Sequence, residues 1–306
     1  MGMSGMYGHA DESESIATIH AALDAGINLF DTGDFYGMGH NELLVGRALR
    51  DRRDRAILSV KFGAMRAPDG SWTGIDTRPG AVKNFLAYSL QRLGVDYVDI
   101  YRPARLDPRV PIEETVGAIA DLVKAGYVRH IGLSEVGVEI IRRAQAVHPI
   151  ADLQIEYSLI SRSPEAKILP ALVELGIGVT AYGVLSRGLL CGSQPVGKGD
   201  FRAHLPRYLA GNFEQNQQLV GALKDFAASR GVTPSQLAIA WVLAKGENIV
   251  PILGARKRGQ LKETLGAIEV RLSADETAEL EALVPADKVA GTRYDAGQMR
   301  MLDSEK

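Results

Sequence analysis

One phrase recurs along this chain of 306 residues: a run with helical spacing, a glycine, and then at once a β-branched, apolar run. It stands in LDAGINLFD (23–31), RLGVDYVDIY (92–101), VKAGYVRHIGLS (123–134) and VELGIGVTAY (173–182). Glycine just past a helix takes the left-handed C-terminal cap without a Cβ penalty, and the apolar run behind it reads as a buried strand. Further strands fit RAILSVK (55–61), ADLQIEY (151–157) and ENIVPIL (247–253). The helices between them have readable starts: Asp11 with Glu14 as a capping box, and Pro79 and Pro111 at first-turn positions. Seven strands alternating with helices, with no break in composition, predict one α/β domain over 1–306 with a parallel sheet.

An open doubly wound sheet alternates in the same way, so closure needs its own argument. The phosphate loop of the open fold, G-x-G-x-x-G between strand and helix, follows none of these strands. Polar residues instead collect just past the strand ends: Asp31, Lys61, Arg102, Ser134, Gln154 and Tyr182. A (β/α)8 TIM barrel builds its site from that same end of every strand, and this is the expected fold. The remaining strand has to come from MGMSGMYGHADESES, ahead of a helix that starts near Asp11. Strand 1 is therefore expected to be short or truncated at the N-terminus, leaving the seam beside the last strand weakly covered.

Thirty-five basic and 37 acidic residues give a net charge of −2, which offers nucleic acid or an anionic membrane no particular attraction. Cys191 is the single cysteine, so no internal disulfide can form. No apolar run approaches the roughly 20 residues of a membrane span, and no basic-then-apolar export signal opens the chain. A cytoplasmic protein is expected. His9, His20, His40, His130, His148 and His204 show no metal-ligand spacing, so no metal is expected.

Chemistry first suggests itself in INLFDTGDFYGMGHNE (27–42), where Asp31 closes an apolar strand and Asp34, Tyr36 and three glycines follow in a loop. The next strand ends in Lys61, which a barrel sets beside Asp31. A lysine at an apolar strand end needs a partner, since an unpaired buried ammonium is costly. A plain Asp31–Lys61 ion pair with Tyr36 in the core satisfies these residues. So does a functional arrangement, in which the lysine favours phenolate and makes Tyr36 a usable proton donor.

Eight blocks then line up in order: GINLFDTGDFYGMGHNE, ILSVKFG, DYVDIYRPARLDP, VRHIGLSE, DLQIEYSLI, GVTAYGVLSRGLL, TPSQLAIAWVL and PILGARKRGQLKETLGA. Over nearly the whole chain the sequence resembles the aldo-keto reductases. The resemblance implies a (β/α)8 barrel that binds NADP(H) without a Rossmann domain. It also implies a catalytic tetrad of Asp, Tyr, Lys and His, of which Asp31, Tyr36 and Lys61 are present. In the family's strand-4 pattern, approximately DYIDLYQLH, the histidine stands five residues after the second aspartate; counted from Asp99, that position is Ala104. A methyl group can neither donate a hydrogen bond nor exchange a proton. Arg102 or Arg105 turning toward the substrate, or Tyr36 and Lys61 acting with a water, are the ways left to replace it. Both arginines also suit a solvated loop face pairing with Asp107.

By the same resemblance Ser134 and Gln154 hold the nicotinamide amide, although Glu135 stands where an asparagine is frequent. Tyr182 stacks on the nicotinamide ring, or else is an aromatic filling the barrel mouth. From Gly183, the segment GVLSRGLL (183–190) wraps the pyrophosphate, with Leu185 and Gly188 offering N–H groups and Arg187 a charge. Gly254 precedes Arg256, Lys257 and Arg258 at a helix start, a good place for a phosphate. The resemblance puts Arg256 on the 2′-phosphate of NADP and Gln260 and Glu263 on the adenine, with Thr264 replacing a common asparagine. Trp72 is a candidate for the substrate pocket or for ordinary packing, and the tail over about 286–306 is expected to fold across the mouth.

The leading expectation is an NADP(H)-dependent oxidoreductase acting on an aldehyde, ketone or sugar carbonyl. A nucleotide-sensing protein with slow residual reductase activity, resembling potassium-channel β-subunits, is the alternative. A Schiff-base aldolase using Lys61 leaves Tyr182 and the Arg256 cluster unexplained. Substrate identity and oligomeric state are not legible in the sequence.

Overall fold

The computed structural model describes residues 2–5, 10–195, 197 and 200–306. Seven parallel strands form one sheet in the order β1 (Leu29–Gly33), β2 (Ile57–Phe62), β5 (Val98–Pro103), β6 (Val128–Ser134), β7 (Ile150–Glu156), β8 (Gly178–Tyr182) and β9 (Ile249–Pro251). A separate antiparallel hairpin, β3 (Ala64–Arg66) and β4 (Trp72–Ile75), follows β2. Between the strands lie α1 (Glu12–Asp24), α2 (His40–Leu49), α3 (Pro79–Leu93), α4 (Ile112–Lys124), α5 (Val138–Val147), α6 (Ile168–Leu175), α7 (Asn212–Ser229) and α8 (Pro234–Ala244). Three more close the chain: α9 (Arg258–Leu265), α10 (Ala274–Leu283) and α11 (Ala296–Met299).

The repeated glycines act as expected. Gly94 and Gly176 take φ of 66° and 67°, left-handed values that turn the chain out of α3 and α6, and Val95 N and Ile177 N then reach back to Leu90 O and Leu172 O. Each of the four repeats runs from its glycine into a strand of the parallel sheet. Sequence order equals sheet order throughout, the pattern of a barrel wall and not of a doubly wound sheet, whose order reverses at a switch point.

Among the described residues no strand precedes Leu29: residues Gly2–Ser4 form a short 3-10 turn, and 6–9, part of the stretch expected to hold strand 1, lie outside the described residues. The edges β1 and β9 are not paired with each other. The gap is spanned one layer out, where Arg258 of α9 forks Glu14 of α1, with N–H to Oε1 at 2.9 Å and Nη2 to Oε2 at 3.0 Å. Glu14 is therefore not the return arm of a capping box. Asp11 does accept from Glu14 N at 2.7 Å, but the Glu14 side chain is spent on Arg258. Pro79 opens α3 as expected, whereas Pro111 stands one residue earlier than expected, at the N-cap of α4.

The hairpin β3–β4 is absent from the sequence expectations. Its turn, Ala67-Pro68-Asp69-Gly70, is closed by Gly70 N to Ala67 O and Ala67 N to Ser71 O, both 2.9 Å. Pro-Asp-Gly between two short apolar runs is the signal that could have revealed it.

Candidate active site

At the C-terminal ends of β1, β2 and β7 three side chains converge on one carboxylate. Asp31 Oδ1 takes the ammonium of Lys61, and Oδ2 accepts from Ser59 Oγ at 2.9 Å and from Gln154 Nε2 at 2.8 Å. Parallel pairing with period-two alternation sends Ser59 and Lys61 to the same face of β2, opposite Asp31. Burial pushes the Asp31 carboxyl up, but Lys61 and Arg102 outweigh it and hold it below the usual carboxylate range. Burial first, and Arg102 with it, lowers Lys61 against the pull of Asp31. Removing either partner would strand a charge in a site where Lys61 is 4% exposed.

Tyr36 reaches the same point from the loop after β1. That loop is tied down by Asp34 N to Lys61 O and by Tyr36 N to Gly33 O, both 3.0 Å. Lys61 Nζ lies 4.9 Å from the centroid of the Tyr36 ring. Phe35 meets Tyr36 edge to face at 4.7 Å, and Trp72, carried in by the hairpin, meets Phe35 edge to face at 6.1 Å. Trp72 is thus brought to the site, 42% exposed.

Ala104 is buried among Ala64 and Ile75, with Phe35 and Met301 packed against the group. Apolar side chains therefore pack against this position. Arg102 lies in the barrel interior, with no exposed surface, donating to Ser59 Oγ and Thr180 Oγ1 at 2.9 Å and pairing with Asp152 at 3.0 Å. Arg102 thus turns into the barrel, where the polar layer below Asp31 takes its donors. Asp107 does not pair with either arginine as a loop face would require: Arg109 forks it at 2.9 Å. Arg105, just past β5, donates to Ala104 O at 2.7 Å.

On the other side of the mouth, Ser134 Oγ is buried without a hydrogen-bond partner. Tyr182 OH is 3.1 Å from the OH of Tyr294 in the tail. Burial, then Glu135, raises the Tyr182 hydroxyl well above its ordinary pKa. Gly183, at φ 68°, admits no side chain, since a Cβ would fall 2.9 Å from Glu156 Cγ. Gly188 has φ 96° in the turn that follows Leu185. Arg187 is held by Glu156 at 2.9 Å and lies 4.5 Å from the Tyr294 ring centroid, so its charge is already matched within the protein. At the start of α9, Gly254 borders open space and Arg256 N donates to Gln260 Oε1 at 2.9 Å. Glu263 accepts from Thr233 Oγ1 at 3.1 Å, and Thr264 bonds back to Gln260 O and Leu261 O of its own helix.

Sequence reasoning missed a buried ionic cluster between mouth and tail. Arg293 forks Glu135 at 2.8 and 3.0 Å and approaches Glu305 at 2.7 Å, while Glu156 takes Arg187, Arg207 at 3.5 Å and Arg293 at 3.6 Å. Burial raises the Glu135 carboxyl, yet Arg293 above all brings it down to about 2. Glu135 also adopts φ 54°, unusual for a residue with a Cβ. A glutamate directly after a strand-end serine was the available signal; its partner, 158 residues on, was not deducible.

A family model described as "Aldo/keto reductase family" matches residues 1–285, all but the tail. "Probable aldo-keto reductase 1" of Glycine max is 42% identical over 302 residues, covering 96% of this chain and 86% of that protein. "Aldo-keto reductase yakc [NADP(+)]" of Schizosaccharomyces pombe is 37% identical over 306 residues, covering 97% and 90%. Among solved structures, the glycerol dehydrogenase AKR11B4 from Gluconobacter oxydans superposes with a TM-score of 0.84 at 32% identity, covering 92% of this chain and 88% of that one. Two relatives above the level at which chance similarity is plausible, a family model spanning the barrel and a superposable structure lead to one statement: this chain belongs to the aldo-keto reductase family.

Proposed function

We propose that this protein is an NADPH-dependent reductase of aldehydes or ketones in which Tyr36 is the proton donor. The observation that carries the reading is the Lys61 ammonium, tied to Asp31 and 4.9 Å from the centre of the Tyr36 ring. A fixed cation beside a phenol favours the phenolate left after proton transfer, and Asp31 keeps that cation in place. The nicotinamide supplies the hydride. Ser134, a buried hydroxyl without a partner, fits an amide there, and Gln154 sits one strand over in register with it. Tyr182 would offer the ring a wall to rest on once Tyr294 yields its hydrogen bond. The loop from Gly183 to Gly188 takes the pyrophosphate, and Arg256 the 2′-phosphate. The S. pombe relative is named for NADP(+), in keeping with the cationic start of α9.

Ala104 leaves the work of the tetrad to three residues. Phe35 and Met301 pack against the cluster that Ala104 forms, and its own methyl can neither give nor take a proton. Tyr36 is thus the acid that has to act.

The test is single-turnover oxidation of NADPH by an activated aromatic aldehyde, in the native chain and in Tyr36→Phe. Oxidation in the native chain, lost by about 10²-fold or more in the variant while NADPH still binds, is the expected result. NADPH binding with equally slow oxidation in both proteins would overturn the reductase reading in favour of nucleotide sensing.

A further inference from the structure

We propose that the substrate carries a carboxylate as well as its carbonyl, and that Arg105 binds that carboxylate. The inference rests on the reductase reading and names its substrate class. Four arginines near the mouth have acidic partners: Arg102 with Asp152 at 3.0 Å, Arg187 with Glu156 at 2.9 Å, Arg207 with Glu156 at 3.5 Å, and Arg293 with Glu135 at 2.8 Å, whereas Arg105 is half-buried. Arg105 has none within 4.0 Å among the described residues, and its hydrogen bond goes to the neutral carbonyl of its neighbour Ala104. A guanidinium offers five N–H donors, so most of its capacity is unspent.

The surroundings of Arg105 identify the mouth. The groups that act on its charge are Tyr182, Tyr294, Glu135 and Arg293, and Arg105 in turn acts on Lys61. Glu135 is claimed by Arg293 in a two-bond fork, and Lys61 by Asp31. The cationic side of the mouth therefore exceeds its acids by the charge of Arg105. Burial disfavours the Arg105 cation, yet Tyr182, Tyr294 and Glu135 more than offset it, so Arg105 stays a fixed positive charge whose remaining N–H donors are open to a ligand anion. One planar guanidinium matches a carboxylate bidentately and balances a single negative charge. Beside it the walls are Ala104, Phe35 and Met301, which fit the apolar body of such a substrate.

The experiment has two arms. In the first, benzoate and benzamide are titrated into the NADP+-saturated protein, read by intrinsic fluorescence, with the native chain, Arg105→Lys and Arg105→Met compared. Benzoate is expected to bind about tenfold or more tighter than benzamide in the native chain, less so in Arg105→Lys, and no better in Arg105→Met. In the second arm, kcat/KM is measured for 4-carboxybenzaldehyde against its methyl ester, and the same preference is expected to disappear in Arg105→Met. Equal binding of benzoate and benzamide by the native chain overturns the proposal. So does an Arg105→Met variant in which kcat falls for both aldehydes and their ratio is unchanged, for that would make Arg105 a carbonyl polariser. Reduction of neither aldehyde counts against the reductase reading, and the benzoate arm then decides on Arg105 alone.

Discussion

Lys61 Nζ stands 4.9 Å from the centroid of the Tyr36 ring while its charge is neutralised by Asp31, so one buried ammonium touches both the ion-pair partner and the proposed proton donor. The two roles separate in variants. Lys61→Met leaves the Asp31 carboxylate buried and unpaired, a change that costs about 3–5 kcal/mol, and it also removes the cation that stabilises the phenolate. We expect lower stability, a rate lower by about 10²–10⁴-fold, and an alkaline limb of kcat/KM displaced to higher pH. Lys61→Met with Asp31→Asn should recover most of the stability and none of the rate, measured by urea unfolding and NADPH oxidation. Recovery of both would show that Lys61 is only an ion-pair partner.

Asp34 makes a pH dependence at the base of the Tyr36 loop. Its Oδ2 accepts a 3.3 Å bond from Gly63 N, while Oδ1 is buried without a partner. Burial, chiefly, and the nearby Glu42 push its carboxyl up to about 7. An acid whose folded pKa is raised binds more protons folded than unfolded. Its stabilising contribution is thus full below the unfolded value of about 3.9 and is lost as pH rises to 7. Asp34→Asn should therefore gain stability relative to the native chain at pH 8, by an amount on the order of 1–4 kcal/mol, and much less at pH 5. Urea midpoints at the two pH values check this; an equal effect at both would exclude the titration of Asp34 as the cause.

The tail is held by Arg293, whose side chain is 5% exposed between Glu135 and Glu156. Arg293→Ala leaves the buried Glu135 without its ion-pair partner, while Glu156 keeps Arg187 and Arg207, so a loss of about 3–5 kcal/mol is expected, with faster proteolytic clipping beyond residue 286. Ser304 and Asp303 also bind Glu135 and Gly137, so Asp303→Ala, which breaks no buried ion pair, should loosen the tail with a smaller cost. Unchanged clipping in both variants would mean that packing of Tyr294 and Met301 retains the tail by itself.

The parts of this molecule legible in the sequence are those governed by neighbours along the chain. Gly94 and Gly176 mark helix ends because a left-handed cap is a local demand, and Asp31 beside Lys61 follows from strand order once the sheet is parallel. The polar layer beneath was not legible. Arg102 reads as a loop-edge charge until Ser59, Thr180 and Asp152, from three other strands, are brought round it. Even the glycine that admits it, Gly132, is ordinary in the sequence; a Cβ there would lie 2.6 Å from Asp152 Oδ1 and 3.1 Å from Arg102 Nε. Arg293 and Glu135 escaped for the same reason, since 158 residues separate two charges that meet only across the barrel mouth.

Ala104→His tests whether the apolar surroundings of that position exclude an imidazole. Ala104 is 2% exposed, and Phe35 and Met301 pack against the cluster it forms with Ala64 and Ile75. An imidazole placed there alone meets carbon on these sides, so overpacking and an unsatisfied ring nitrogen act together. Ala104→His is expected to lose about 1–3 kcal/mol and to gain no rate. Met301 comes from the tail and is partly exposed, so trimming it opens room at small cost. Ala104→His with Met301→Ala should regain stability and raise kcat for a neutral aldehyde, because the ring then has space to face the carbonyl beside Tyr36. Thermal unfolding and NADPH oxidation of the three proteins decide the matter. A faster Ala104→His single variant would show that the apolar packing is no obstacle, and that alanine at this position is a simple loss instead of one part of a rebuilt pocket.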